Sequence, residues 1–234
     1  MSIVNLNDRP ASADIPYDFI STFHQQKAAF ENNKFPSLNE RRRQLKALKE
    51  ALTDNSDEII AALSKDFGSR CTEETRLSEI SNSVGNIEYA SRHLASWMRT
   101  RSRGTGIWFL PGENKIAPQP RGVVGIIVPW NYPINIAVSG LASAIAAGNR
   151  CIVKMSECTP ASENVLRKII SSVFDNDHIS IVGGEADAAA AFSALPFDHL
   201  MFTGSTRVGR FVMAAAAKNL TPVTLELGGK SPVI

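Results

Sequence analysis

The chain has 234 residues, 44% of them hydrophobic and 21% charged, with a net charge of +2 and a pI near 8.5. This composition buries a substantial core and excludes a disordered chain, and it is too mildly basic to indicate a nucleic-acid partner. Three scattered cysteines, Cys71, Cys151 and Cys158, form neither a disulfide framework nor a metal-ligand spacing.

These cysteines suit a reducing compartment. No run reaches the ~18 apolar residues of a membrane span, and residues 1–16 lack the apolar core of a signal peptide. The expectation is a soluble cytoplasmic protein with no metal. Residues 1–16 read as a polar tail. A helix is predicted from about Asp18 to Asn32, ended by Pro36. Asn39 is placed to cap a second helix carrying Leu45, Leu48 and Leu52, in which Arg41-Arg42-Arg43 reads as a solvated face. A third helix spans about Ser56 to Asp66, with Gly68 just past its end. A long helix follows from about Thr72 to Met98. Its apolar seam, Leu77, Ile80, Val84, Ile87, Leu94 and Met98, reads as scaffold with no catalytic group on it. Residues 102–120 read as a projecting β-hairpin, with strand-like pieces at Ile107–Leu110 and Lys115–Ala117 around Pro111-Gly112.

The rhythm changes at Arg121. Gly122 to Val128 is a short uncharged apolar run, the composition of a strand covered on both faces. Pro129 ends it, so Trp130-Asn131-Tyr132-Pro133 lies at the carboxyl end of a buried parallel strand, where open α/β sheets bind ligands. A helix at about 134–147 ends at Gly148, and a strand at Cys151–Lys154 follows. Thr159 is predicted to cap a helix that starts at Pro160 and runs to about Phe174. Strands at Ile179–Val182, Leu200–Phe202 and Val223–Leu227 alternate with helices at about 187–195 and, following Gly204–Gly209, to about Asn219. Five strand–helix alternations with right-handed crossovers predict an α/β fold: a parallel five-stranded Rossmann-like sheet with helices on both faces. The expected division is a helical part at 1–101, the hairpin at 102–120, the sheet domain at 121–230 and the start of a further domain at 231–234. Val233-Ile234 reads as the beginning of another strand, so the chain is expected to be a piece of a longer protein.

The G-x-G-x-x-G of a dinucleotide fold is missing, and so is a Tyr-x-x-x-Lys pair, which disfavours a complete Rossmann reductase. Gly204-Ser205-Thr206-Arg207-Val208-Gly209 sits between a strand and a helix. It fits either a pyrophosphate-binding turn or an ordinary connection. Lys154 and Glu157 suit the two hydroxyls of a ribose, or a surface ion pair. Glu226 lies in an otherwise apolar strand, where burial would raise its pKa toward that of a general base. Its alternative role is as partner to Lys230.

Taken in order, Pro129-Trp130-Asn131-Tyr132-Pro133, Lys154-x-x-Glu157, Phe202-Thr203-Gly204-Ser205-Thr206-x-Val208-Gly209 and Leu225-Glu226-Leu227-Gly228-Gly229-Lys230-Ser231-Pro232 resemble the aldehyde dehydrogenase superfamily. Compact spacing is similar to its class 3 branch. Lys154-Met155-Ser156-Glu157, Gly184-Glu185-Ala186-Asp187, Phe192–His199 and Asn219–Thr224 are similar to bacterial coniferyl aldehyde dehydrogenases.

The resemblance implies a chemistry in which a cysteine thiolate attacks an aldehyde, a hydride passes to NAD(P)+, and a glutamate activates the water that hydrolyses the thioester. It implies Asn131 as the oxyanion donor, a group typically worth ~3 kcal/mol of transition-state stabilisation, and Glu226 as the base. Lys154 and Glu157 match the ribose contacts, Glu157 favouring NAD over NADP; Gly204, Ser205 and Gly209 match the pyrophosphate turn, and Trp130 the wall of the same cleft. A small-molecule substrate that is a hydrophobic, aromatic or conjugated aldehyde such as coniferaldehyde and, for the full-length protein, a homodimer are further implications. The family's nucleophile lies beyond Ile234, and none of Cys71, Cys151 and Cys158 replaces it. The chain alone is therefore expected to be inactive. Its alternative role is a dinucleotide-binding module without turnover.

Overall fold

A computed structural model describes residues 19–229 and 231. The polar tail, Lys230 and the strand start at Val233-Ile234 lie outside the described residues. Helices α1 (Phe19–Asn32), α2 (Leu38–Asp54) and α3 (Ser56–Phe67) lead to a continuous helical stretch: α4 (Thr72–Glu74), a π-helical segment (Thr75–Ser81) and α5 (Asn82–Trp97). A two-stranded antiparallel hairpin follows, β1 (Arg101–Arg103) and β2 (Asn114–Ile116). The remainder alternates β3 (Val123–Ile127), α6 (Pro133–Ala147), β4 (Arg150–Lys154), α7 (Pro160–Ser171), β5 (Ile179–Val182), α8 (Ala186–Ser193), β6 (His199–Gly204), α9 (Thr206–Ala217) and β7 (Val223–Leu227).

The five-stranded sheet is parallel throughout, in the order β5-β4-β3-β6-β7. The chain enters at the centre on β3, winds outward to β5, then crosses back to β6 and β7. The strand order therefore reverses between β3 and β6, and the crevice outside their carboxyl ends is the topological switch point.

Period-two alternation along β3 feeds two cores. Val124, Ile126 and Val128 pack with α2, α3, α5, α6 and α7, while Val123 and Ile127 face Phe19, Phe23, Phe192, Phe197 and Val212. Gly125 sits where the second core presses closest: a Cβ there would come within 2.7 Å of the Phe197 ring and 2.8 Å of Leu200.

Several local expectations need correction. Ser37, not Asn39, caps α2, its hydroxyl accepting the Glu40 N–H at 3.2 Å. Thr159 makes no side-chain cap on α7. The Asp66 carboxylate does that work from the end of α3, accepting from the Ala161 N–H at 2.9 Å, the Ser162 N–H at 2.7 Å and the Ser162 hydroxyl at 2.6 Å. Arg41 is not solvated. It is buried, donates to the Pro36 and Ala146 carbonyls at 3.0 Å each, and lies against Gly148, whose φ of +83° closes α6.

The hairpin forms, but its first strand lies earlier than expected, and Ile107–Phe109 is a 3-10 turn. The apolar run predicts a strand there, but its side chains are exposed and form no core face. The long helix bends its own pattern. A regular 3.6-residue repeat counted back from Leu94 and Ile87 turns Arg76 inward. The π segment adds residues to the turn, so that Thr75, Glu79 and Ile80 face the core while Arg76 and Leu77 face solvent, Leu77 being 67% exposed. Among the described residues no helix is long and apolar enough to cross a membrane, and no group of acidic, His and Cys side chains could hold a metal.

Candidate active site

A cleft of about 650 Å3 opens at the switch point. The ends of β3 and β4 supply Val128, Trp130, Lys154 and Glu157, β6 supplies Phe202, Thr203 and Gly204, and α9 supplies Ser205, Val208 and Phe211. Five of the sequence-derived candidates, Trp130, Lys154, Glu157, Gly204 and Ser205, thus converge on one concavity. Its size falls within the roughly 300–1,000 Å3 of small-molecule sites.

Lys154 and Glu157 form an ion pair whose lysine end is buried and whose glutamate end is half-exposed. The Lys154 side chain is 2% exposed, its ammonium donates to the Gly184 carbonyl, and Glu157 Oε2 lies 3.7 Å away with its side chain 43% exposed. A buried ammonium beside a half-exposed carboxylate presents a donor and an acceptor to the same small region. Ser205 caps α9 by accepting the Val208 N–H at 3.3 Å, which directs the amino end of that helix at the cleft. Gly209 does not line the cleft. It is buried where α9 crosses the sheet, and a Cβ there would meet Leu227 at 2.8 Å and Phe202 at 3.5 Å. Its glycine permits close helix–strand packing.

Asn131 is exposed, and its carboxamide makes no hydrogen bond among the described residues. Its backbone is held firmly. Arg70, which is nearly buried, donates to the Asn131 carbonyl at 2.8 Å, to Glu79 Oε1 at 3.2 Å and to Glu74 Oε1 at 3.1 Å. The guanidinium lies over the Phe67 ring at 4.8 Å and the Tyr132 ring at 4.5 Å, both within cation–π range. Glu79, fully buried, accepts the Asn135 N–H on its other oxygen at 2.7 Å. Burial pushes this carboxyl up to about 7, and Glu74 adds to the rise; the Asn135 and Ile134 N–H groups and Arg70 pull the other way. Arg70 Nε and Thr75 Oγ1 are buried here without a partner among the described residues. Apolar periodicity does not find this network, because Glu79 is a charged residue on the buried face and a seam counted on apolar residues passes it over.

Glu226 stands opposite Thr203 on the sheet-edge strand β7, and its side chain is exposed. The burial invoked to activate it is absent here, since β7 has a neighbour on one side only. Cys151 is fully buried in β4, which drives its thiol well above the ordinary range. Cys71 and Cys158 are exposed and do not line the cleft.

Fold, cleft and residue order can now be set beside known proteins. The aldehyde dehydrogenase family profile matches residues 16–234. The chain belongs to the aldehyde dehydrogenase family.

Similar members include a probable coniferyl aldehyde dehydrogenase of Pseudomonas aeruginosa, 47% identical over 212 residues, covering 91% of this chain and 44% of that one. A coniferyl aldehyde dehydrogenase of Pseudomonas sp. is 43% identical over 235 residues, covering 100% of this chain and 48% of its own length. The substrate-bound state of Staphylococcus aureus AldH superposes with a TM-score of 0.87 at 36% identity, covering 92% of this chain and 46% of that one. A Mycobacterium tuberculosis aldehyde dehydrogenase complexed with NAD+ superposes with a TM-score of 0.82 at 32% identity, with 92% and 44% covered. The chain spans about half the length of the relatives it matches. Class 3 members match as well, among them the rat family 3 member B1 at 38% identity.

Proposed function

We propose that this chain is the cofactor-binding portion of an NAD(P)-dependent aldehyde dehydrogenase that oxidises a hydrophobic, coniferaldehyde-like aldehyde to its acid. The observation that supports this most is the convergence of Trp130, Lys154, Glu157, Gly204 and Ser205 on one cleft at the switch point.

The residues present fit a nicotinamide dinucleotide. Lys154 and Glu157, 3.7 Å apart, suit the vicinal hydroxyls of a ribose. The amino end of α9 offers N–H groups and a positive dipole end to a pyrophosphate. The carboxylate of Glu157 repels a 2′-phosphate, which favours NAD over NADP. A nicotinamide dinucleotide held by these residues would supply the hydride acceptor for aldehyde oxidation. Trp130 walls the cleft, the Asn131 carboxamide donates a hydrogen bond to the former aldehyde oxygen, and Glu226 takes a proton from the hydrolytic water. A homodimer of the full-length protein belongs to the same proposal. One observation favours a second role, a dinucleotide-binding module without turnover: no cysteine lines the cleft among the described residues.

Titrating the chain with NADH tests the cofactor step. Saturable binding is expected, weakened at least tenfold by Lys154→Met with an unchanged unfolding midpoint. A wild-type chain that binds neither NADH nor NADPH overturns the proposal. The intact mass of the protein in its source cells separates the two roles. A species near 25.4 kDa selects the binding module, and one about twice that mass selects the enzyme.

A further inference from the structure

We infer that Arg70 and Glu79 are positioning residues that hold the Asn131 turn in a preset geometry through a ring of two side-chain-to-backbone bonds joined by their own ion pair. The assignment of a task to the Asn131 carboxamide rests on the proposed function; the ring itself does not. It runs from the Asn131 carbonyl to Arg70, from Arg70 to Glu79 Oε1, and from Glu79 Oε2 to the Asn135 N–H, with distances of 2.8, 3.2 and 2.7 Å. Residues 131–135 are thereby gripped at both ends by two side chains from a different part of the chain.

Three features make this a clamp and not a chance contact. Both partners are almost wholly buried, so the bonds are made in a low dielectric and are expensive to break. The guanidinium is also flanked by Phe67 and Tyr132, which fixes its plane. The π segment exists at this point, with Thr75 and Glu79 turned inward and Arg76 and Leu77 outward. π turns recur at functional sites for this kind of local re-aiming. The clamp acts on the backbone and leaves the Asn131 carboxamide unbonded, as a donor awaiting an acceptor requires.

Neither residue has a conservative substitute. Glu79→Gln keeps one acceptor oxygen and so retains either the Arg70 bond or the Asn135 bond, not both. Arg70→Lys loses the planar fork that reaches the Asn131 carbonyl and two carboxylates together. The test uses backbone hydrogen exchange and the side-chain amide NMR signal of Asn131, assigned by its loss in Asn131→Ala, at fixed pH in the 234-residue chain.

Both variants are expected to exchange the amides of residues 131–136 at least tenfold faster. They should also shift or broaden the Asn131 carboxamide signal, while the β3 and β4 amides keep wild-type protection. The double variant should be no looser at the turn than either single one. Unchanged exchange at 131–136, or an increase spread evenly over the sheet, overturns the inference; Arg70→Lys serves where Glu79→Gln fails to fold. A wild-type chain that binds no NADH defeats the proposed function but leaves this measurement unaffected.

Discussion

Removing either Glu79 or His178 should tilt the pH dependence of stability, and in opposite directions. Burial raises the Glu79 carboxyl from 4.5 to about 7, while burial, aided by the Arg150 charge, lowers His178 from 6.5 to about 4 against Asp177, Glu40 and Asp175. The stability that protonated Glu79 contributes is fully present below pH 4.5 and is lost as pH rises through about 7. The stability that neutral His178 contributes is present above pH 6.5 and is lost as pH falls through about 4. At about 1.4 kcal/mol per pH unit, each shift is worth on the order of 3 kcal/mol when fully titrated.

In the wild type the two nearly cancel between pH 6.5 and 4.5. Glu79→Gln removes the first and should make the chain lose on the order of 3 kcal/mol relative to wild type as pH falls from 7.5 to 4.5. His178→Gln should do the reverse. Urea unfolding followed by circular dichroism across that pH range measures the difference, and subtracting the wild-type curve removes the other carboxylates. Curves for Glu79→Gln and wild type that run parallel within about 0.5 kcal/mol would refute the assigned burial effect, as would a slope of opposite sign.

Gly148→Ala should cost more than about 2 kcal/mol, because φ is +83° and the new Cβ would lie 2.6 Å from the Arg41 guanidinium carbon. Gly68→Ala, at φ +79° with nothing within 4 Å, should cost only about 1 kcal/mol, so equal urea midpoints for the pair would contradict the Arg41 contact. Asp66→Ala should destabilise by about 1–2 kcal/mol through the lost cap of α7, and a loss under about 0.5 kcal/mol would show that water replaces it freely. Gly125→Ala should cost about 1–3 kcal/mol by overpacking against Phe197 and Leu200, and a gain in thermal midpoint would mean that the strand has room to shift.

What was legible in the sequence is what hydrophobic pattern and turn chemistry encode. The bounds of β5 and β7 fall where the apolar runs fall, Gly148 ends α6, and the strand–helix rhythm yields the parallel sheet and its ligand-binding edge. Trp130, Lys154, Glu157, Gly204 and Ser205 are legible because each ends or follows a strand at that edge. Ile107–Phe109 was misplaced because an apolar run was equated with a buried strand, and here the same residues are an exposed turn. Glu79 escapes an apolar-only count because it is a charged residue in register with the buried positions Ser83, Ile87 and Leu94.

The remaining gaps share one physical origin, and together they change the role of the N-terminal helices. Arg41 reaches Ala146 across 105 positions, Asp66 reaches Ala161 across 95, Arg70 reaches Asn131 across 61 and Glu79 reaches Asn135 across 56. A single charged residue bonding to a distant backbone leaves no periodic trace. Yet each of these bonds ends at a terminus of α6 or α7 or on the turn before α6, and the three that reach a helix terminus have the sign that the terminus favours. Glu79 meets the amino end of α6, Arg41 its carboxyl end, and Asp66 the amino end of α7. The helical region that sequence treats as packaging is thus an electrostatic brace. Its apolar faces only need to pack, but three of its charged side chains fix both ends of α6 and the amino end of α7, and Arg70 holds the turn before α6. The ends of those two helices set the Trp130–Asn131 turn and the loop that carries Glu157.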